Sequence, residues 1–345
     1  RNNVDAALVH RWASHGWFKR SLGLGWKGSR FIMTMRVDMS TTLGNAWFPS
    51  PIFTASGCAS SGKELAQFFP LKDIGAVVTK SVMTKPRHGR PTPRMAETPS
   101  GMLNSIGLQG PGIDAFLAND VPWLLEQKAR VIVSIAGETI EEYSTLARKL
   151  RSISGISAVE VNISCPNVEN RGLVFACDPD ASRRVIDGVR KTIGGELPII
   201  AKLSPDVTDL PAIARGVVDA GADALALINT VLGMVINLDS MRPHLGGKTG
   251  GLSGPAIKPV AVRAIYQVHA ALPQVPILGM GGVSTGRDAL ELILAGASGV
   301  SVGTASFGNP TALIQVRDEL QTLLAARGFA TLSQAVGYAH REEGA

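Results

Sequence analysis

The feature that most constrains the fold of this chain is a repeated alternation of short apolar runs with longer segments of helical periodicity. Eight runs are rich in β-branched and aliphatic side chains, which is typical of buried strands. They are Ile52–Ser56, Ala76–Val82, Val131–Ala136, Ala158–Ile163, Pro198–Leu203, Ala224–Asn229, Pro276–Met280 and Gly299–Val302. Amphipathic helix patterns lie at Ile140–Ile153, Ala181–Ile193, Leu210–Ala220, Lys258–Leu272 and Thr285–Ala295. Eight strand–helix units predict an α/β fold of the (β/α)₈ or TIM-barrel type, with a parallel sheet closed on itself.

A doubly wound open sheet is the alternative fold for such an alternation. It would place a Gly-x-Gly-x-x-Gly turn after an early strand, with an acidic residue about twenty positions later. The sequence contains no such motif, so the barrel is favoured. Two gaps between strands, Met83–Lys128 and Thr230–Gly254, are too long for simple connections. We expect them to be insertions over the C-terminal face of the barrel.

The net charge of +6 is confined to the start of the chain. Residues 1–36 carry seven basic side chains and one acidic one, and the remainder is balanced at 27 of each sign. Because a nucleic-acid site needs clustered basic residues on the folded domain, nucleic acid is not expected as a partner. Residues 1–34 are predicted to be a separate basic extension, either disordered, an upstream leader or a transit-like peptide. Residues 35–345 are predicted to form the catalytic barrel.

The apolar and cysteine patterns bound the location of the protein. No run of about 18 apolar residues occurs, so a membrane span is not expected. The three cysteines, Cys58, Cys165 and Cys177, have no Cys-x-x-Cys spacing. This argues against disulfides, zinc and iron–sulfur clusters within the chain, and no other motif predicts a metal. A reducing, cytoplasmic setting is therefore predicted.

Polar residues at the carboxyl ends of barrel strands face the active site of such a fold. In this chain they are Ser56, Lys80, Ser134, Asn162, Lys202, Asn229 and Thr230. A buried ammonium or amide costs several kcal/mol without a partner, and an anionic ligand would be a suitable partner. The last two strands end in Gly281-Gly282 and Gly303-Thr304. Since glycines let backbone N–H groups approach a phosphate at this place in a barrel, a phosphorylated cofactor is predicted.

The most distinctive loop is Asn162-Ile-Ser-Cys-Pro-Asn167, which follows the fourth strand. Its proline restricts the backbone, and its carboxamides and hydroxyl suit a planar polar ligand. Cys165 is the candidate base or nucleophile if the site lowers its thiol pKa. Cys58 and Cys177 lack this setting and are interpreted as structural.

These residues belong to a collinear set of motifs that resembles the class 1 dihydroorotate dehydrogenases, and within them the NAD-linked class 1B catalytic subunits. The resemblance extends from about Met39 to about Arg341. It includes Ala55–Cys58, Pro91–Arg94, Gly101–Gln109, Asn162–Asn167, Lys202–Pro205, Ile228–Thr230, Thr249–Pro259, Gly279–Gly282 and Val302–Thr304.

The resemblance implies one FMN per chain and an assignment for each site residue. It places the cofactor on Ser56, Lys80, Ser81, Ser134, Asn162, Lys202, Ile228, Gly254, Gly281, Gly282, Gly303 and Thr304. It places the substrate on Lys80, Asn104, Ser105, Ile106, Gly107, Leu108, Asn162, Asn229 and Thr230. The implied reaction is oxidation of dihydroorotate to orotate in pyrimidine biosynthesis. Cys165 removes a proton from C5 while a hydride leaves C6 for the flavin.

The same resemblance implies an outlet for the electrons. Class 1B catalytic subunits form a homodimer that joins two iron–sulfur subunits with FAD and a [2Fe–2S] cluster in a heterotetramer, which reduces NAD. The alternatives are a class 1A enzyme that reduces fumarate by itself, a dihydropyrimidine dehydrogenase-like protein, and a non-catalytic flavin-binding barrel. The Thr249–Pro259 segment resembles class 1B more than class 1A.

Three positions depart from the pattern of that family. Ser134 stands where many class 1B sequences have an asparagine that contacts the flavin. Asn170-Arg-Gly172 replaces a more usual Lys-x-Gly-Gly, and Ala176 stands where glycine is frequent. The last two departures predict a lid loop that moves differently, with the core chemistry retained.

Overall fold

A computed structural model of the chain describes residues 37–164 and 178–342. Its strands are β1 Thr41–Leu43, β2 Ala46–Phe48, β3 Ile52–Thr54, β4 Val77–Val78, β5 Met95–Thr98, β6 Gly101–Asn104, β7 Val131–Ile135, β8 Ile156–Asn162, β9 Ile199–Lys202, β10 Ala224–Leu227, β11 Val231–Gly233, β12 Ile236–Asn237, β13 Arg242–Pro243, β14 Gly250–Ser253, β15 Ile277–Met280 and β16 Gly299–Val302. Its α-helices are α1 Ile113–Glu126, α2 Ile140–Arg151, α3 Pro179–Ile193, α4 Leu210–Asp219, α5 Lys258–Ala271, α6 Gly286–Leu294, α7 Ala305–Gly308 and α8 Ala312–Ala326. The predicted extension, residues 1–34, lies outside the described residues.

Eight parallel strands form one sheet in the order β3-β16-β15-β10-β9-β8-β7-β4. The two end strands meet through a parallel bridge between Phe53 and Ala76, just before β4. This bridge closes the sheet into a barrel, and the predicted (β/α)₈ fold is confirmed. Each of the eight predicted strands is present. Their residues are buried on both faces, as the strands of a parallel barrel require, which is why they appear in the sequence as continuous apolar runs.

The five predicted helices are also present, and capping residues explain where they begin. Thr139 caps α2 by accepting a hydrogen bond from the Glu142 amide. The Asp178 carboxylate accepts from the amides at the start of α3, with Pro179 as the first helical residue. Helix α3 therefore starts two residues earlier than its apolar periodicity predicted.

The second strand is the one that departs most from its predicted length. Only Val77–Val78 form ladder pairs in β4, whereas the predicted run extended to Val82. The Lys80 amide donates to the Ser60 carbonyl, which turns the backbone out of the sheet. The chain pairs again at Val82, which bridges to Ile135. Lys80 and Ser81 are thereby presented at the mouth of the barrel.

The core consists of the barrel interior and a shell between the strands and the helices. Small and aliphatic side chains fill the interior, among them Val78, Ile132, Ala158 and Ile200. The hairpin of β1 and β2 adds Leu43 and Phe48 to this interior cluster. The Phe48 ring packs edge-on against that of Phe53, with centroids 5.0 Å apart. The hairpin thus plugs one end of the barrel, opposite to the mouth where Lys80 lies.

The two predicted insertions pair with each other. Strands β5 and β6 from the first and β11 and β14 from the second form a four-stranded antiparallel sheet in the order β11-β14-β6-β5. A short hairpin of β12 and β13 follows β11. The region 232–241 exposes five large apolar side chains: Leu232, Met234, Ile236, Leu238 and Met241. Within residues 37–164 and 178–342, no helix combines the length and apolar character needed to cross a bilayer.

Candidate active site

A cavity with two connected compartments lies at the carboxyl ends of the barrel strands. The glycine compartment has a volume of about 220 Å³ and is lined by Gly254, Gly281, Gly282 and Gly303 among others. The amide compartment, of about 610 Å³, is lined by Asn104, Asn162 and Asn229 among others. Seven residues line both compartments: Ser56, Cys58, Lys202, Asn229, Thr230, Ser253 and Thr304. Ligand sites of this kind are typically cavities of 300 to 1,000 Å³, so one elongated ligand can occupy both compartments.

The wall of the glycine compartment is made of backbone. Gly282 has φ of +73°, and a Cβ there would lie 2.7 Å from the Cβ of Lys258. Gly254 has φ of +94°, and a Cβ there would lie 2.6 Å from the Cα of Gly101. Only glycine fits these positions without strain. A wall of bare backbone suits a phosphate group, which main-chain N–H groups can approach closely.

Lys258 stands behind this wall and is already paired. Its ammonium lies 2.7 Å from Asp288 Oδ1 and 2.8 Å from Glu291 Oε2. Hydrogen bonds to these two carboxylates raise the pKa of Lys258. Its charge therefore serves to tie the start of α5 to α6 rather than to hold a ligand.

Neighbouring groups orient the carboxamides of the amide compartment. Asn162 Nδ2 donates to Ser81 Oγ at 3.0 Å, and Asn162 Oδ1 accepts from the hydroxyl of Ser164 at 3.1 Å. Asn229 Nδ2 donates to Ser164 Oγ at 2.8 Å, and its Oδ1 accepts from the Thr230 amide at 2.8 Å. Side chains fixed in this way can bind the edge of a planar polar ring with little loss of conformational entropy.

A buried carboxylate lies beneath the cavity and was missed by the sequence reasoning. Glu160 on β8 is 0% exposed, and its Oε1 lies 3.6 Å from Nζ of Lys202, which is 4% exposed. Ser134 Oγ donates to the same carboxylate oxygen at 2.8 Å. The available signal was a single acidic residue within the apolar run Ala158–Ile163, because a buried acid needs a partner.

The structure brings most of the predicted site residues together. The glycine compartment contains Ser56, Lys202, Ile228, Asn229, Thr230, Gly254, Gly281, Gly282, Gly303 and Thr304. The amide compartment adds Lys80, Ser81, Asn104, Ile106, Gly107, Leu108 and Asn162. Ser105 and Ser134 are fully buried and line neither compartment. Cys165, the predicted base, lies outside the described residues, as do Cys177 and the departures at residues 170–172 and 176.

Cys58 and Ser253 line both compartments although the sequence reasoning did not assign them to the site. Burial raises the pKa of the Cys58 thiol, and the ammonium groups of Lys202 and Lys80 offset this only in part. Cys58 is therefore a neutral thiol in the cavity wall. Among residues 37–164 and 178–342, no group of three or more His, Cys, Asp or Glu side chains is arranged to hold a metal ion.

A buried lysine, oriented amides and a glycine wall lie together at the mouth of a parallel barrel, which is where (β/α)₈-barrel enzymes have their active sites. The family model "Dihydroorotate dehydrogenase" matches residues 38–324, which is most of the chain. The chain belongs to the dihydroorotate dehydrogenase family, an oxidoreductase family, and the family resemblance seen in the motifs is confirmed.

Curated relatives with the same family name align with this chain over nearly their whole length. The chain is 48% identical to "Dihydroorotate dehydrogenase B (NAD(+)), catalytic subunit" of Desulforudis audaxviator over 310 residues, covering 90% of this chain and 100% of the relative. Identically named relatives of Geobacter sp. (strain M21) and Pelobacter propionicus are 48% and 49% identical. These alignments cover 88% of this chain and 98% and 99% of the relatives.

Proposed function

We propose that this chain is the FMN-binding catalytic subunit of an NAD-linked dihydroorotate dehydrogenase of class 1B. It oxidises dihydroorotate to orotate in pyrimidine biosynthesis. The observation that carries the proposal is the pair of connected compartments, in which a glycine wall, Lys202 and oriented carboxamides meet in one cavity. No observation favours a class 1A enzyme, a dihydropyrimidine dehydrogenase-like protein or a non-catalytic barrel over this function.

The cofactor proposed for the cavity is one FMN, and the residues present fit it. The glycine wall at Gly254, Gly281, Gly282 and Gly303 would hold the phosphate, because these residues line the compartment without side chains and leave main-chain N–H groups open to approach. When bound, the flavin supplies the acceptor for the hydride that dihydroorotate loses. Lys202 contributes a cation that stabilises negative charge at the polar end of the ring system.

The substrate proposed for the amide compartment is dihydroorotate. It has a carboxylate and two ring carbonyls, which match the ammonium of Lys80 and the carboxamides of Asn104, Asn162 and Asn229. Leu108 and Ile106 supply apolar wall around these donors. Cys165, the next residue in the sequence after Ser164, is proposed as the base at C5.

The assembly proposed is a homodimer of this chain joined to an iron–sulfur subunit with FAD and a [2Fe–2S] cluster. The relatives are named as catalytic subunits of an NAD-linked enzyme, which supports a partner. The chain has neither a dinucleotide-binding fingerprint nor cysteines spaced for a cluster. A partner subunit is therefore needed to carry electrons to NAD. The complex is proposed to be cytoplasmic.

The experiment that tests the cofactor and the substrate is purification followed by anaerobic addition of dihydroorotate. We expect one FMN per chain by absorbance, and bleaching of the flavin band by dihydroorotate. A protein that stays colourless after incubation with FMN would overturn the cofactor proposal. A yellow protein that dihydroorotate does not bleach would overturn the substrate proposal.

A matched pair of glycine variants tests where the phosphate binds. We expect Gly282→Ala to lose FMN, because its φ of +73° and the 2.7 Å approach to Lys258 exclude a Cβ. Gly308→Ala is the control, because its Cβ would meet nothing within 4 Å, and it should retain FMN. FMN content of both variants, with circular dichroism to check folding, is the measurement. Equal FMN content in the two variants would contradict the assignment.

A further inference from the structure

Five polar side chains on five successive barrel strands form one continuous network beneath the cavity. Ser56 Oγ and Ser81 Oγ are 3.3 Å apart, and Ser81 Oγ and Ser134 Oγ are 2.9 Å apart. Ser134 Oγ donates to Glu160 Oε1, which pairs with Lys202 Nζ. These residues follow or belong to β3, β4, β7, β8 and β9, which are neighbours around the barrel. The network therefore runs along the cavity floor from one wall to the other.

Glu160 determines the direction of these hydrogen bonds. The Ser134 hydroxyl has one proton and donates it to Glu160 Oε1. Toward Ser81 it can therefore only accept, so the Ser81 hydroxyl is the donor of that hydrogen bond. Ser81 in turn accepts from Ser56 and from Asn162 Nδ2, which lies 3.0 Å away. The hydroxyls are thus ordered toward one acceptor, and a chain of this kind is mutually reinforcing in a low-dielectric interior.

The carboxylate also has few other partners to share its charge. Glu160 Oε2 is buried and has no hydrogen-bond partner within the described residues. Its Oε1 has the Ser134 hydroxyl and the Lys202 ammonium. A buried charge is costly unless another charge compensates it. Lys202 is the compensating charge, and it is the member of this pair that lines both compartments.

We propose that Glu160 is a positioning residue of the cofactor site, which holds Lys202 at the cavity floor and offsets its charge, so that it sets how readily the bound flavin is reduced. This inference rests on the proposed function, because it requires FMN in the cavity. Glu160 acts through Lys202 and lines neither compartment itself. With the carboxylate present, a ligand above Lys202 experiences an ion pair rather than a lone cation.

Glu160→Gln separates the charge of this residue from its shape. The glutamine side chain keeps the size of glutamate and can still accept from Ser134, but it leaves the Lys202 charge without compensation. The reduced flavin is the more negative form and gains most from that cation. We expect the equilibrium between reduced and oxidised FMN to shift toward the reduced form by about tenfold, which is about +30 mV for a two-electron couple.

Two further variants make the test independent of a general disturbance. Thr79→Val removes a buried hydroxyl that accepts from the Ser134 amide and lines neither compartment. It leaves both charges in place, so its equilibrium should stay within about twofold of wild type. Glu160→Asp keeps the charge but withdraws it from Lys202 by one methylene. It should shift in the same direction as Glu160→Gln by about threefold, about +15 mV by the same constant. If Glu160→Gln does not fold, the potential of Glu160→Asp alone tests the inference.

The measurement is the midpoint potential of FMN bound to the purified full chain, by anaerobic reduction in equilibrium with a reference dye. The expected order of the potentials, from the highest, is Glu160→Gln, then Glu160→Asp, then Thr79→Val close to wild type. Unchanged potentials in both Glu160 variants would overturn the inference. So would a Thr79→Val shift as large as that of Glu160→Gln, because the cause would then be structural. A wild-type protein without FMN would instead contradict the proposed function.

Discussion

At the scale of single residues, the site was predictable where a polar side chain interrupts an apolar run. Lys80, Asn162 and Lys202 stood out in this way, and all three line the cavity. Ser105 illustrates what such reasoning lacks. Asn104 and Ile106 line the amide compartment, whereas Ser105 between them is buried behind it and accepts from Arg90 Nη1 at 3.4 Å. In extended backbone, alternate residues face opposite sides.

Ser134 is a second instance at the same scale. Its hydroxyl is hydrogen-bonded to Ser81 and Glu160 beneath the cavity. Ser134 is therefore part of the network but does not line either compartment. Its predicted contact with the flavin stays a prediction. The sequence showed that a serine replaces the asparagine of the family pattern. It could not predict the partners of the serine hydroxyl, because Glu160 and Ser81 are 26 and 53 residues away in the sequence.

The base assignment makes a prediction at this scale. Cys165→Ala should slow flavin reduction by dihydroorotate by about 10² to 10⁴-fold, because general-base catalysis contributes about that much. FMN should remain bound, since the thiol is proposed to act on the substrate and not on the cofactor. Anaerobic stopped-flow absorbance of the flavin band measures the rate. Cys177→Ala is the control and should reduce at the wild-type rate. Reduction of Cys165→Ala at a near wild-type rate would require another base.

At the scale of elements, local signals placed the helices well and the strand ends less well. Helices α2 and α3 begin at capping residues that the sequence displays, because a cap is a short-range interaction. Strand β4 is shorter than its apolar run because the Lys80 amide pairs with Ser60. Pairings of this kind depend on a loop from another part of the barrel, and periodicity carries no information about them.

The hairpin that plugs the barrel makes a prediction at the element scale. Phe48→Ala should lower the free energy of unfolding by about 3 to 5 kcal/mol, because it leaves a cavity beside Phe53 in the barrel interior. Trp47→Ala, one residue earlier on β2, is the control. Trp47 is 54% exposed, so its loss should cost about 1 kcal/mol or less. Denaturant unfolding measures the free energy of unfolding of both variants. Equal losses in the two variants would contradict the packing of the hairpin into the end of the barrel.

The start of α6 makes a prediction about pH. Burial raises the pKa of Asp288, but hydrogen bonds from Lys258, Ser284 and Thr285 outweigh it and lower the pKa to about 2 from an ordinary 3.8. Since the folded pKa is below the unfolded one, this stabilisation is complete above pH 3.8 and is lost as the pH falls toward 2. After allowance for solvent screening it amounts to about 1 kcal/mol.

The check is the unfolding free energy of wild type and Asp288→Asn between pH 7 and pH 2. The difference between the two proteins should shrink by about 1 kcal/mol as the pH falls through 3.8 toward 2. Asp187→Asn removes an exposed partner of Lys191 on α3 and should cost no more than about 0.5 kcal/mol. A wild-type and Asp288→Asn difference that does not vary with pH would contradict the role of the carboxylate.

At the scale of the whole molecule, the barrel gathers chemistry that is dispersed along the chain. Ser56 and Thr304 are nearly 250 residues apart in sequence yet line the same two compartments. The carboxyl ends of parallel strands meet at one face of a closed barrel, so this convergence follows from the topology. The insertions from residues 95–104 and 231–253 pair as one sheet beside that face.

The electron acceptor is the subject of the prediction at this scale. The isolated chain should not reduce NAD with dihydroorotate, because its sequence has no dinucleotide fingerprint and no cluster cysteines. Addition of the iron–sulfur flavoprotein subunit should give NAD reduction, since one-electron steps through a cluster can connect two separated flavins. Assays with NAD, fumarate and a quinone, with and without that subunit, are the measurement. Rapid fumarate reduction by the chain alone would indicate class 1A, and NAD reduction by the chain alone would exclude the two-subunit scheme.

The sequence by itself determined the barrel, its eight strands, the insertions and the family, because hydrophobic periodicity and short motifs are local and repeat along the chain. It also indicated most of the residues that line the cavity, since strand ends of a barrel share one face. Only the tertiary structure decided that β5, β6, β11 and β14 form one sheet, that Ser105 faces away from the cavity, and that Glu160 pairs with Lys202. These are interactions between distant segments, and their partners depend on the packing of the closed barrel rather than on neighbours in the sequence.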